Sequence, residues 1–368
     1  MTRVRFGDVV NDIKVNVDRQ NNPYDIYVAG DHMDSEDLTL HRWGSFATDD
    51  VGPAFIRIFK PGQVLYGSRR TYLKKIVVAP FEGITANTTF VLETKNEDEF
   101  SQRLLPFIML SDDFTEWSIR KSKGSTNPYV LFSDLADYEF DLPSPEEQRR
   151  LADKLWAAYE LKEAYKKMIA ATDEMVKAQF IEMFDCSLTI KISDITQTCS
   201  GGTPNTKKEE YYKHGTIPWL TSGEVNNGII TATKSYITES GLTNSSAKWI
   251  PANSVLIAMY GATAGKSAIT KIPITTNQAI CALLPSDKVN SVYLYHAIKN
   301  KEEWMINQCA GAAQPNISQK IIRDMEIPLP NINKQLEFVS IVEQAEKSKS
   351  ELRQAIEKID RVMKSLMQ

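Results

Sequence analysis

The chain is built twice. Segments 116–148 and 303–335 align without a gap at a shift of 187 residues. Glu116, Trp117 and Ile119 match Glu303, Trp304 and Ile306, and Gly124 and Pro128 match Gly311 and Pro315. Asp137, Glu139, Leu142, Pro143 and Gln148 match Asp324, Glu326, Leu329, Pro330 and Gln335. These ten identities in 33 positions compare with about two expected by chance, so duplication sets the architecture. The two beginnings also correspond, Phe6, Asp8 and Val9 facing Ile192, Asp194 and Ile195. Between them only short stretches agree, Val64-Leu65 with Val255-Leu256 and Asn87 with Asn277. The ends of the halves are alike and their interiors differ.

After Leu142-Pro143 and Leu329-Pro330 the chain turns rich in Glu, Lys, Ala, Leu and Met, with almost no Gly or Pro. Phe338, Ile341, Ala345, Ser348, Leu352, Ala355, Ile359, Val362 and Leu366 alternate steps of three and four. The first copy places Leu151, Lys154, Ala158, Leu161, Tyr165, Met168, Thr172, Met175 and Gln179 in the same register. That spacing predicts two long helices, each about 35 residues and roughly 50 Å long, joined along a heptad seam. The apolar members of both series are the expected seam. Arg149, Arg150, Trp156 and Tyr159 lie off it and offer a second surface for docking a partner.

The expected fold class is α+β: two pseudo-two-fold-related mixed α/β domains separated by two long antiparallel helices, a coiled coil. The boundaries read as a globular unit over 1–143, a helical spacer over 144–187, a second unit over 188–330 and a C-terminal helical spacer over 331–368. Short strands are predicted at Val64–Tyr66, Ile76–Val78, Thr88–Leu92, Val255–Met259 and Ala279–Leu284, and helices at Phe100–Lys121 and Val289–Asn307. Such a frame holds two heads at a set separation, as dimer symmetry sets half-site spacing in other DNA readers.

Composition narrows the classes. Hydrophobic content of 42% and charged content of 24% are those of an ordinary globular protein. No apolar run reaches the roughly 20 residues of a membrane span, and the N-terminus lacks a secretory h-region. A cytoplasmic protein without a membrane partner is expected. The four cysteines and four histidines are scattered, so no metal site is expected and the thiols read as reduced. A net charge of −4 argues against a basic nucleic-acid coater but leaves room for local basic patches.

Those patches are in the loops. In the first half Arg69, Arg70, Tyr72, Lys74 and Lys75 share one loop, and Lys121, Lys123, Ser125 and Asn127 share another. In the second half the candidates are Thr203, Thr206, Lys207 and Lys208, then Tyr260 and Lys266, with Asn277, Gln278, Gln314 and Asn316 as adenine readers. Arg and Lys suit phosphates and guanine edges, whereas Asn and Gln suit adenine.

Three catalytic look-alikes fail on inspection. A phosphate loop ending at Gly265-Lys266-Ser267 needs glycine where Tyr260 stands. Asn127-Pro128-Tyr129 lacks the second proline of the adenine-methyltransferase tetrapeptide. Glu93-Thr94-Lys95 follows a strand, but no aspartate lies between Val51 and Leu92 to share a cation. No catalytic residue is expected. A divergent DNA methyltransferase or nuclease with an unrecognised site remains the alternative, and a coiled-coil adaptor without a DNA role a third reading.

Two features carry a family resemblance. One is the repeated apolar–x–Leu–Pro–x–x–x–x–Gln element, Phe140 to Gln148 and Ile327 to Gln335. The other is Gly201-Gly202-Thr203-Pro204 with Ile217-Pro218-Trp219-Leu220 soon after. Together with the duplicated helices, they make the chain resemble the specificity subunits of Type I restriction–modification systems over essentially its full length. The resemblance implies two target-recognition domains reading an asymmetric, bipartite site in double-stranded DNA. It implies helical regions that dock two methyltransferase (modification) subunits, joined by motor-nuclease restriction subunits. AdoMet, ATP and Mg would then belong to those partners, with no cofactor on this chain. The first half opens instead on Phe6-Gly7-Asp8-Val9, a departure that leaves the DNA sequence open.

Overall fold

The computed structural model describes residues 2–185, 187–308 and 316–367. Cys186, Cys309, Gly311, Gln314 and Pro315 lie outside them. The chain divides into two compact units, Met1–Tyr165 with Arg353–Gln368, and Lys166–Leu352.

In the first unit β1 (Val64–Gly67), β2 (Ile76–Val78) and β3 (Thr89–Thr94) join Val10–Asp12 in an antiparallel sheet ordered Val10–Asp12, β3, β1, β2. A second sheet runs Gly44–Ser45, Ile26–Val28, Gly83–Ala86, Phe55–Phe59, with antiparallel, parallel and antiparallel neighbours. The second unit repeats both. Its β4 (Val255–Ala258), β5 (Ser267–Thr270) and β6 (Ile280–Leu283) lie in the order Thr198–Ser200, β6, β4, β5, Ile229–Ile230. Its other sheet runs Ser235–Ile237, Ile217–Leu220, Ile274–Thr276, Trp249–Ile250, with the same three orientations. Val255 to Ala258 are buried without interruption, as in a strand covered on both faces. Even the closing strand pair recurs, Thr2–Arg5 with Glu139–Leu142 and Thr189–Lys191 with Glu326–Pro328.

The predicted helix over Phe100–Lys121 is two helices, α1 (Leu105–Leu110) and α2 (Asp112–Lys121). Ser111 breaks it: its backbone is extended, and its hydroxyl accepts from Phe114 N–H at 3.3 Å, an N-cap. The long helices are α3 (Pro145–Phe184) and, after α4 (Ser291–Lys299), α5 (Ile332–Leu366). Both begin on a capping side chain at the same repeat position. Ser144 Oγ accepts from Glu147 N–H at 3.4 Å, and Asn331 Oδ1 from Lys334 N–H at 3.1 Å.

The glutamine of the repeated motif now has a physical role. Gln148 is 1% exposed; its Oε1 accepts from Ser101 N–H at 2.9 Å, and its amide donates to the Glu99 and Pro143 carbonyls. Gln335 is equally buried, accepts from Asn290 N–H at 2.9 Å and donates to Pro330 O. Each glutamine fastens a loop to the first turn of a long helix. A buried amide can be kept only with its hydrogen bonds satisfied.

The seam corrects half of the sequence expectation. Within the second unit α3 and α5 run antiparallel, since Asp173 meets Lys349 at 2.6 Å and the Phe180 ring lies 5.3 Å from Phe338. One expected column turns inward: Phe338 and Ala345 are buried, and Leu151, Ala158, Tyr165, Leu352, Ile359 and Leu366 are half-buried. The other column is displaced by one residue. Leu161, Met168, Met175 and Val362 are exposed, whereas Leu155, Val176, Val342 and Met363 are buried and Lys162 and Ile169 half-buried. Ile341 and Ala355 sit at the flank, half-buried. Polar residues hold the mid-helix inner positions and are satisfied by ion pairs: Lys162 with Asp360 at 2.6 Å in the first unit, Lys349 with Asp173 and Glu346 in the second.

Cys281 is buried and Cys199 half-buried, both as free thiols. Burial first, then Cys199, pushes the Cys281 thiol up to about 12, which keeps it protonated. Among the described residues no helix is long and apolar enough to cross a membrane.

Candidate nucleic-acid interface

In the first unit β1 runs out into a loop and returns as β2. The loop is shaped by one 3-10 turn, Thr71–Leu73, bracketed by Arg70 and Lys74 in the left-handed region at φ 51° and 46°. A second loop is laid beside it by main-chain bonds. Ser68 O accepts from Val130 N–H at 2.9 Å, and Arg70 N–H donates to Pro128 O at 2.7 Å. Lys123 and Tyr129 exchange both bonds, at 2.7 and 2.9 Å. The two predicted basic loops thus become one surface, on which Arg69, Arg70, Tyr72, Lys123, Ser125 and Asn127 are exposed. The Arg69 and Arg70 guanidiniums have no acidic partner among the described residues.

Not every candidate on these loops is free to act. Lys74 turns inward, its side chain 16% exposed and its ammonium 3.2 Å from Asp112 and 3.4 Å from Glu36. The Asp112 carboxyl is held below the usual range by Lys364 first and Lys74 second. That removes Lys74 from the set of spare cations. Lys75 donates to the Gly30 carbonyl, and Lys121 lies half-buried with its ammonium 4.8 Å from the Trp117 ring centre. Lys123 pairs with Asp134 at 2.9 Å, an exposed bridge of small worth that a phosphate can displace.

The second unit builds its surface from the same parts. β4 leads to Tyr260, whose backbone bridges Asn316, and Ile317 N–H donates to Met259 O at 2.8 Å. Gly201 and Gly202 allow a close approach that no other residue permits: a Cβ on Gly201 would stand 1.9 Å from Thr276 O, and one on Gly202 2.1 Å from Ser246 Oγ. This brings Thr203 to Gln278, the hydroxyl donating to Oε1 at 2.6 Å, while Tyr260 OH reaches Gln278 O at 3.4 Å. Thr203, Tyr260, Gln278 and Asn316 are therefore one cluster. Thr206, Lys207 and Lys208 are exposed on the neighbouring loop. The Lys208 ammonium lies 3.0 Å from Tyr211 OH, the bond that chiefly raises its pKa.

Two candidates in this unit are otherwise engaged. Lys266 pairs with Glu302, and Asn277 folds onto its own turn, Oδ1 accepting from Ala279 N–H at 3.2 Å. Gln314 lies outside the described residues.

The two surfaces share two main-chain links at matching repeat positions. Arg69 bridges Tyr129 as Tyr260 bridges Asn316, and Val130 N–H to Ser68 O matches Ile317 N–H to Met259 O. The frame is shared and the side chains are not: Arg69 stands for Tyr260, Arg70 for Gly261, Tyr129 for Asn316. Tyr129, 39% exposed, belongs to the first surface and was missed in the sequence. Its repeat partner Asn316 was the signal.

The proposed docking residues divide. Arg149 and Arg150 are exposed on the first turns of α3. Trp156 is half-buried, its indole donating to Arg103 O at 2.9 Å and packed on Phe107. Tyr159 is 4% exposed and cannot be a docking residue. It is instead the centre of a buried network, donating to Asp37 Oδ1 at 2.6 Å and accepting from Thr39 N–H at 2.9 Å. Burial first, then Asp37, raises its pKa. Asp37, His41 and Glu163 bring ligand-type atoms within 4.8 Å of one another here. The Asp37 oxygens are already used, Oδ1 by Thr39 N–H and Tyr159, Oδ2 by His41 at 3.2 Å.

Residues 188–360 match the model of the Type I restriction modification DNA specificity domain. That match covers 173 of the 368 residues, just under half of the chain. The Escherichia coli EcoR124I/EcoR124II specificity subunit is 32% identical over 157 residues, 41% of this chain and 39% of that protein. The MjaIX specificity subunit of Methanocaldococcus jannaschii is 32% identical over 157 residues, 41% of this chain and 36% of that protein. These alignments span less than two-fifths of either relative.

The fold likeness is longer. A chain solved in work on complex assembly and conformational transition of the type I R-M system superposes with a TM-score of 0.61 at 19% identity, over 100% of this chain and 96% of that one. The S subunit of a Type I system from M. genitalium gives 0.57 at 13% identity, over 100% and 94%. The fold likeness thus extends over the first unit as well, outside the segment that the family model matches.

Proposed function

We propose that this chain is the DNA reader of a Type I restriction–modification complex, each unit taking one half of an asymmetric, bipartite site in double-stranded DNA. The observation that carries this reading is the duplicated loop frame, one main-chain scaffold presenting two different sets of polar and cationic side chains. Arg69, Arg70 and Lys207 serve phosphates, and Gln278 and Asn316 serve base edges. The chain itself is non-catalytic. Two methyltransferase subunits dock on its helical regions and motor-nuclease subunits join for restriction; AdoMet, ATP and Mg act on those partners, in the cytoplasm. Relatives named as specificity subunits support this division of labour.

The test is genome-wide mapping of methylated positions in cells carrying the partner subunits. Exchanging residues 188–330 for another family member's segment should change one half of the target and leave the other intact. A change in both halves, or in neither, would reject the reading.

A further inference from the structure

A pocket of about 370 Å³ opens in the first unit, lined by Asp12, Lys14, Arg57, Phe90 and the run Leu131 to Ser133. It adjoins the two basic loops. Leu131 follows directly on Val130, whose N–H holds one loop to Ser68 at the root of the other. Thr89, next to Phe90 on β3, pairs with Gly67 at the end of β1 where that other loop departs. The Phe90 and Phe132 rings stand 6.0 Å apart, with Leu131 exposed at the rim beside Lys14 and Ser133. Beneath them lie Asp12 and Arg57, their side chains 2% and 10% exposed and 3.0 Å apart.

The Arg57 guanidinium is only partly used. Nη1 donates to Asp12 Oδ1 and to Thr89 O, both at 3.0 Å, whereas neither Nε nor Nη2 has an acceptor among the described residues. Asp12 Oδ2 has only the Lys14 ammonium near it, 3.7 Å away. Burial, the largest influence, raises the Asp12 carboxyl above its usual range despite Arg57 and Lys14. Taking such a pair out of water gains little for folding, and a donor left without an acceptor is a cost. The duplicate unit does without this charge. At the repeat shifts of 186 and 187 residues, Thr198 and Gln319 stand for Asp12 and Phe132. They are tied directly together, Gln319 Nε2 donating to Thr198 Oγ1 at 2.9 Å. The buried carboxylate and the aromatic wall are therefore not demanded by the shared fold.

We propose that this pocket receives one nucleobase swung out of the half-site read by the first unit, its ring against Phe132 and Leu131 and its polar edge on Arg57 and Asp12. The inference rests on the chain being a DNA reader. A base carries donors and acceptors side by side on its pairing edge, which a guanidinium next to a carboxylate oxygen can answer. Its ring faces suit an aromatic wall. Extrusion costs pairing and stacking, and costs least where the base is mismatched.

The test uses the full chain alone, because methyltransferases extrude bases themselves. With the half-sites assigned by the segment exchange above, each base pair of the first half-site is mismatched in turn and affinity is read by fluorescence anisotropy. At one position the mismatched duplex should bind at least about tenfold more tightly than the matched one. Mismatches in the second half-site should give no such gain. Ser133→Trp, at an exposed position on the rim, should abolish the gain while circular dichroism confirms the fold. The proposal is overturned if matched DNA is bound specifically but no first-half mismatch tightens binding, if both half-sites gain equally, or if folded Ser133→Trp protein keeps the gain. Should that variant not fold, the comparison of half-sites on the unmodified protein decides. Saturation transfer to free guanosine, adenosine, cytidine or thymidine without a mismatch gain would mark a site for free nucleosides and also overturn it. Absence of specific binding to matched DNA would instead reject the DNA-reader reading, and this inference with it.

Discussion

Thr203 donates its hydroxyl hydrogen to Gln278 Oε1 at 2.6 Å, across the gap that Gly201 and Gly202 close. The bond engages the Gln278 side-chain oxygen, and its NH2 group has no acceptor among the described residues. Gln278→Ala should cost about 1–3 kcal/mol of discrimination at one base pair of the second half-site and none at the first. Competition binding by the assembled complex with base-substituted duplexes measures this. A loss spread evenly over all sequences would assign Gln278 to the backbone instead.

The first surface makes a different demand. Arg69→Ala and Arg70→Ala should weaken binding to every duplex alike and lower the salt slope by about 0.9 per lost phosphate contact. Lys74→Ala should leave that slope unchanged, since its ammonium is spent on Asp112 and Glu36. Equal salt slopes for the Arg70 variant and the parent protein would contradict this assignment.

The displaced seam can be tested by stability alone. Leu155→Ala removes a side chain that is 0% exposed and should cost about 2–5 kcal/mol. Leu161→Ala, at a position 44% exposed, should cost less than about 1 kcal/mol. Urea unfolding of the two variants would return the opposite order if the sequence-derived register were right.

His296 predicts an acid-sensitive fold. Burial first, then Lys299 and Lys349, lowers its pKa from 6.5 to about 4. Between those values the unfolded chain binds a proton that the folded chain refuses, so stability falls as pH drops from 6.5 and levels off below 4. The full contribution is on the order of 3 kcal/mol. Melting curves at pH 7.5 and 5 should converge in His296→Phe relative to the parent; an unchanged difference would remove His296 as the cause.

How much of this was legible follows from particular residues. The duplication showed in the sequence because Gln148 and Gln335, with the prolines before them, do one geometrical job twice, and that job tolerates few substitutes. The two long helices were legible for the same reason. The seam was half legible. Leu161, Met168 and Met175 are apolar yet face outward, while Lys162 and Asp173 face the seam because Asp360 and Lys349 answer them from the other helix. Such pairing between residues nearly two hundred positions apart cannot be seen in either helix alone. Lys74 was misjudged on the same ground, its partner Asp112 being 38 residues away. The gathering of Thr203, Tyr260, Gln278 and Asn316 also depends on contacts no local pattern encodes.

The loops that frame both surfaces are fastened by peptide groups: Val130 to Ser68, Arg70 to Pro128, Ile317 to Met259. A mutation at a loop tip therefore leaves the fastening intact, and the side chain there is released from any duty in folding. If the units read DNA as proposed, a lineage carrying such a scaffold can alter its target by substitutions at the loop tips while the peptide fastening stays in place.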